Sequence, residues 1–226
     1  MKKLVIFDLD GTLLNTISDL GAAVNYALRV NGLPEHSLDM YPNMVGNGVR
    51  RLIERALPMD QRSNAMIDKM LTDFKHYYNQ HKSDMTKPYE GITRLLADLR
   101  DMDVAVAVAS NKYQEATEGL MRDFFPEVAF AAVEGQRPDV PIKPDPSVVF
   151  SILSATFTPK ADTLYVGDSG VDMVTARRAC VDSVGVTWGF RSREELAENL
   201  ATYIVTEPAQ ILDIVRGINL PNYYNR

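Results

Sequence analysis

Asp8 and Asp10 stand two residues apart where an apolar run through Val5, Ile6 and Phe7 ends, and Gly11 and Thr12 follow. An apolar run this short reads as a buried central strand of a parallel sheet. In a strand, residues two apart point the same way, so both carboxylates face one crevice. Ligands of open α/β sheets bind in that place, outside the carboxyl ends of the strands. Two such charges about 4 Å apart, at an effective dielectric of about 20, repel by about 4 kcal/mol. The pair therefore asks for a cation between the two acids, or a proton on one. Asp and Gly are also ordinary turn residues after a strand, so this stretch alone decides nothing.

Three further positions decide. Ser110 ends a second apolar run, Asp168 ends a third, and Lys143 lies in a proline-rich loop after a fourth. Singly, Ser110 is a helix cap, Lys143 a solvated surface lysine, Asp168 an acid at a helix start, and Asp172 a helix surface residue. Together they fall where one fold can converge them. Such a group suits hydrolysis of a phosphate monoester, among the slowest uncatalysed reactions. Asp8 can attack phosphorus to give an aspartyl-phosphate. Asp10 can protonate the leaving oxygen and then deprotonate water. Mg²⁺ suits a site of carboxylates plus a phosphate oxygen, with Asp8 and Asp168 as ligands. Ser110 can donate to a phosphoryl oxygen, and Lys143 can stabilise developing negative charge. Asp172, one helical turn after Asp168, can hold a metal-bound water or Lys143.

The elements that position these residues are legible as periodicities. Helices are predicted over about 17–28, 49–57 and 64–81, and no strand is expected from Asn15 to Asp84. The Met and aromatic stripe of the third helix reads as core. After Met85, strands alternate with helices: strands at Val104–Ala109, Ala129–Val133, Thr163–Val166 and Ser183–Val186, then a last pair near Ile204 and Ile211–Val215. The expected fold is α/β, a doubly wound parallel sheet with an inserted small all-helical unit. Its boundaries are placed at 1–14 and 85–226 for the core and 15–84 for the insert.

Composition narrows the class. With 226 residues, 46% hydrophobic and 24% charged, the chain is an ordinary soluble globular protein, one large domain or a core with an insert. A net charge of −6 argues against a nucleic-acid footprint. The apolar run after Lys2–Lys3 is broken by Asp8 and Asp10, too early for a leader, and no run reaches the ~20 residues of a membrane span. One cysteine, Cys180, excludes an internal disulfide and suits a reducing, cytoplasmic setting; it is expected as a small core residue. His36, His76 and His81 lack metal-ligand spacing, and Gly46–Gly48 follows no strand, so it is no dinucleotide fingerprint.

Four motifs in order carry a resemblance that covers nearly the whole chain: Phe7–Leu13 (FDLDGTL), Ser110–Asn111, Lys143-Pro144-Asp145-Pro146, and Gly167–Asp172 (GDSGVD). By these the chain resembles the haloacid dehalogenase-like superfamily of phosphohydrolases. The resemblance implies Asp8 as nucleophile and Asp10 as acid/base, Asp10 also lending a backbone carbonyl to Mg²⁺. It makes Asp8, Asp10 and Asp168 the metal set, and has Ser110, Asn111 and Lys143 hold the phosphoryl group. It also makes the helical insert a cap that closes over the site. Val45–Arg50 and Val186–Phe190 look like the phosphoglycolate phosphatase subgroup. The implied activity is a Mg²⁺-dependent phosphatase on a small phosphorylated metabolite, 2-phosphoglycolate first, working as a monomer or homodimer. A phosphosugar mutase or a pyrophosphatase on the same core is the alternative.

Overall fold

The computed structural model describes residues 1–218. Strand β1 (Leu4–Phe7) is followed by the short β2 (Leu14–Asn15). Four helices come next: α1 (Ile17–Val30), α2 (Tyr41–Met44), α3 (Val49–Ala56) and α4 (Asn64–His81). The chain returns through β3 (Lys87–Pro88), α5 (Ile92–Asp101), β4 (Ala105–Tyr113), α6 (Gln114–Phe124) and β5 (Ala132–Gln136). It ends with α7 (Ser147–Thr156), β6 (Thr163–Gly167), α8 (Gly170–Ala179), β7 (Asp182–Val186), α9 (Arg193–Glu198), β8 (Tyr203–Val205) and α10 (Ala209–Arg216).

Six strands form one sheet in the order β5-β4-β1-β6-β7-β8, and every pairing in it is parallel. β1 lies between β4 and β6, so it is buried on both faces, as its unbroken apolar sequence requires. The pleat sends its side chains alternately to two cores. Val5 and Phe7 pack with α5, α6 and α10. Leu4 and Ile6 pack with Val149 and Ile152 of α7 and Ala176 and Ala179 of α8. Helices thus cover both faces of a parallel sheet, the expected doubly wound arrangement.

Helices α1, α3 and α4 share a separate hydrophobic cluster built on Val24, Leu28, Ile53, Phe74 and Tyr78. Full burial of side chains this size stabilises by roughly 1.5–3 kcal/mol each. The Met and aromatic stripe of α4 is therefore core, as its spacing predicted. Entry to and exit from this block lie side by side, because β2 and β3 pair antiparallel, Leu14 with Pro88 and Asn15 with Lys87.

Several local expectations are corrected. Asn15 is a strand residue; a two-residue ladder is too short to give a period. β5 begins at Ala132, because residues before it turn while Val128 and Phe130 pack on the core. Residues 38–44 add a 3-10 turn and α2. Cys180 is exposed, held by the left-handed backbone (φ 59°) that ends α8; its place after a helical pattern looked internal, but the helix stops there. Among the described residues, no helix is long and apolar enough to cross a membrane.

Candidate active site

The carboxyl ends of β1, β4 and β6 meet at one cavity of about 650 Å³, roofed by α1, α3, α4 and the loop before α3. Asp8 continues β1 by one residue, its N–H donating to the Val166 carbonyl at 2.8 Å. Gly11 then takes a positive φ of 89°, and Leu9 O accepts from the backbone N–H groups of Thr12, Leu13 and Leu14. A side chain at Gly11 or Gly189 would run into the Asp168 carboxylate. Two glycines therefore make room for that acid at the end of β6.

Lys143 is the hub. Its Nζ lies 2.7 Å from Asp8 Oδ1 and 2.7 Å from Asp172 Oδ1, and it donates to the Ala109 carbonyl at 2.9 Å. All three ionic groups are buried. The loop that carries Lys143 is fixed by Asn111, whose Oδ1 accepts from Lys143 N at 2.8 Å and whose Nδ2 donates to Lys143 O at 3.0 Å. The Asn111 side chain therefore positions the lysine, and both of its amide functions are engaged in doing so. Ser110 lines the cavity, and its hydroxyl accepts from Lys112 N at 3.2 Å. The register of β4 with β5 shifts between Ala109 and Tyr113, the kind of irregularity that re-aims side chains near active sites.

Asp10 is held apart from the other acids. Thr16 Oγ1 donates to one carboxylate oxygen at 2.6 Å and Lys112 Nζ to the other at 3.0 Å. The Thr16 hydroxyl thus serves Asp10 and does not cap α1. Lys112 is buried, with its ammonium 4.8 Å from the Tyr78 ring centroid. Sequence reasoning gave Lys112 no role. The missed signal was its spacing: Ser110 and Lys112 are two apart on a strand and share a side.

Ligand oxygens of Asp8, Asp168 and Asp172 lie within 4.8 Å of one another. Asp172 thus joins Asp8 and Asp168 in the carboxylate cluster, while the Asp10 side chain turns to Thr16 and Lys112; its expected contribution was a backbone carbonyl. Asp172 is already committed, one oxygen to Lys143 and the other to Ser169 Oγ at 2.6 Å. Asp168 accepts from Phe190 N at 2.7 Å through Oδ2. Among the described residues, Asp8 Oδ2 and Asp168 Oδ1 have no hydrogen-bond donor and remain available.

The electrostatics ask for more positive charge. Four carboxylates meet two lysines here. Burial pushes the Asp8 carboxyl up from 3.8 to about 7, with Asp172 and Asp10 adding to the rise and Lys143 opposing it. Asp168 is raised well above the ordinary range by burial, then by Asp8 and Asp172. Burial pulls Lys143 down, but Asp172 and Asp8 outweigh it and hold the ammonium well above its usual range. Two free carboxylate oxygens in an all-oxygen, doubly negative site fit a hard divalent cation.

A family profile for haloacid dehalogenase-like hydrolases matches residues 5–186. The chain belongs to that family. The phosphoglycolate phosphatase of Pseudomonas syringae pv. syringae (strain B728a) is 31% identical over 222 residues, covering 96% of this chain and 79% of that protein. That of Haemophilus influenzae (strain 86-028NP) is 28% identical over 219 residues, covering 94% and 98%. A phosphoglycolate phosphatase-like protein from Lactobacillus delbrueckii subsp. bulgaricus has the same fold, with a TM-score of 0.89 and 32% identity over 95% of this chain and 99% of that one. This haloacid dehalogenase-like hydrolase is a phosphatase, similar to phosphoglycolate phosphatases along nearly its whole length.

Proposed function

We propose that this phosphatase hydrolyses a small phosphate monoester through an aspartyl-phosphate on Asp8, with Mg²⁺ as its cofactor. The observation that carries the reading is Lys143 bridging Asp8 and Asp172, beside Asp168, on the floor of one roofed cavity. One carboxylate oxygen of Asp8 attacks phosphorus as the ester P–O bond breaks, and Asp10 delivers a proton to the departing alcohol oxygen. Lys143 keeps Asp8 oriented and offsets the charge gathering on the phosphoryl oxygens. Asp10, now a carboxylate, takes a proton from the water that attacks the phospho-aspartate, and that P–O bond breaks to free phosphate and Asp8. Thr16 and Lys112 hold Asp10 where it can serve both steps. Ser110 donates to a phosphoryl oxygen. Asp8 and Asp168 would hold Mg²⁺, which supplies charge neutralisation for an anionic nucleophile meeting an anionic phosphate. The helical block between β2 and β3 acts as the cap, excluding water and meeting the alcohol half of the substrate.

The names of the relatives make 2-phosphoglycolate the reference compound. The test is release of phosphate from an aryl phosphate with Mg²⁺ and after chelation, in wild type and Asp8→Asn. Turnover that needs the metal and disappears in the variant supports the mechanism; turnover retained by the variant overturns it.

A further inference from the structure

The cap offers the cavity no charged side chain among the described residues. Its apolar wall is Leu20, Val49, Leu52 and Phe74. Its polar groups, Asn43, Asn47 and Tyr78, are neutral. The Tyr78 hydroxyl is buried and has no hydrogen-bond partner among the described residues. Every cation that lines the cavity comes from the core and is already engaged. Lys143 is held by Asp8 and Asp172, and Lys112 by Asp10. Arg191 donates to the Pro42 carbonyl and, at 2.6 Å, to the Val45 carbonyl, with Glu195 3.6 Å from its Nε. A second carboxylate entering beside the phosphate would meet an apolar wall and no unengaged side-chain cation, a costly setting for an anion.

Size points the same way. 2-Phosphoglycolate has about nine non-hydrogen atoms; at a ceiling of about 30 Å³ each, the share of a water molecule in the liquid, it fills at most about 270 Å³. The cavity of about 650 Å³ is more than twice that. The space exists with the cap already seated on the core. Arg191 bonds the loop before α3, Tyr113 Oη donates to Asn79 at 2.6 Å, and Lys82 Nζ donates to Asp123 at 3.0 Å.

We infer that the alcohol half of the substrate is uncharged and carries a ring or comparable apolar body, which this site prefers to a short phosphorylated carboxylic acid. The inference rests on the phosphatase reading above and names the substrate class of that same site. The ring lies against Leu52 and Phe74, and a neutral substituent faces Asn43 and Asn47.

Benzyl phosphate, ethyl phosphate and 2-phosphoglycolate test it; all three leave as alkyl alcohols, so a phenol's better departure does not bias the comparison. With Mg²⁺, kcat/KM for benzyl phosphate is expected at least about tenfold above each of the other two, the scale on which apolar pockets discriminate. Val49→Arg, which adds a cation to the cap wall, is expected to shift the ratio about tenfold toward 2-phosphoglycolate. A wild-type enzyme that prefers 2-phosphoglycolate, or treats the three alike, overturns this inference alone. So does a ratio that Val49→Arg leaves unmoved. Phosphate release from none of the three, nor from an aryl phosphate, overturns the phosphatase reading and this inference with it.

Discussion

Asp8→Asn is expected to stabilise the metal-free protein while abolishing turnover. The Asp8 carboxyl is raised from 3.8 to about 7, chiefly by burial, so it keeps its proton in the folded chain at a pH where the unfolded chain has lost it. Stability from this group is fully present below about pH 4 and falls as the pH rises through about 7. At about 1.4 kcal/mol per pKa unit, the full deficit above pH 7 is about 4 kcal/mol. An amide removes it. Part of the gain is returned, because Lys143 loses one partner, though it keeps Asp172 and the Ala109 carbonyl. A net gain of about 2–3 kcal/mol remains, which for a chain of this size raises Tm by about 5–10 °C. The assay is thermal and urea unfolding in chelator at pH 8 and pH 5. The variant should exceed wild type at pH 8, and the gap should narrow at pH 5, where wild-type Asp8 is protonated in the folded state. Mg²⁺ should stabilise wild type far more than the variant. A variant no more stable than wild type at pH 8 in chelator would refute the claim that Asp8 is held against its own desolvation.

Asp10→Asn should lower kcat about 10²–10⁴-fold on an alkyl phosphate, with a smaller loss on a nitrophenyl phosphate whose departure needs no proton; steady-state kinetics on both substrates checks the contrast. Lys143→Met should abolish detectable turnover and cost about 3–5 kcal/mol in urea unfolding at pH 8, because Asp8 and Asp172 are left buried without their shared partner. Gly189→Ala should weaken Mg²⁺ binding, since the added methyl meets the Asp168 carboxylate; calorimetric titration with Mg²⁺ measures the loss.

Much of the site could be read from the sequence because its acids sit at the ends of strands whose apolar runs are unmistakable. Asp8, Asp168 and Lys143 meet where three strand ends and a loop converge, as their positions predicted. What the sequence hid is what depends on contacts between distant segments. Lys112 shares a side with Ser110, but that spacing does not name its partner, Asp10, which follows the neighbouring strand β1. Thr16 precedes α1, and only the fold turns its hydroxyl back to Asp10. The Asn111 amide also grips the Lys143 backbone, a contact no spacing rule announces. Arg191 and Tyr78 both line the cavity, one from the loop between β7 and α9 and the other from α4, whose periodicity records only packing. α4 was legible to its ends, Asn64 and His81, because an 18-residue amphipathic pattern integrates many weak preferences. β5 was displaced because its five residues carry too little pattern to fix a register.

The ladder between Leu14–Asn15 and Lys87–Pro88 brings both ends of the helical block to one seam. None of the strand pairings in the six-stranded sheet runs through that block, so a change in the roof leaves the ladder of the floor in place. Among the described residues, Thr16 supplies the one hydrogen bond to the four acids that originates beyond that seam. A transplanted roof that brings a hydroxyl in its first residue therefore finds the acid/base ready oriented, and selectivity can change hands without the chemistry being rebuilt.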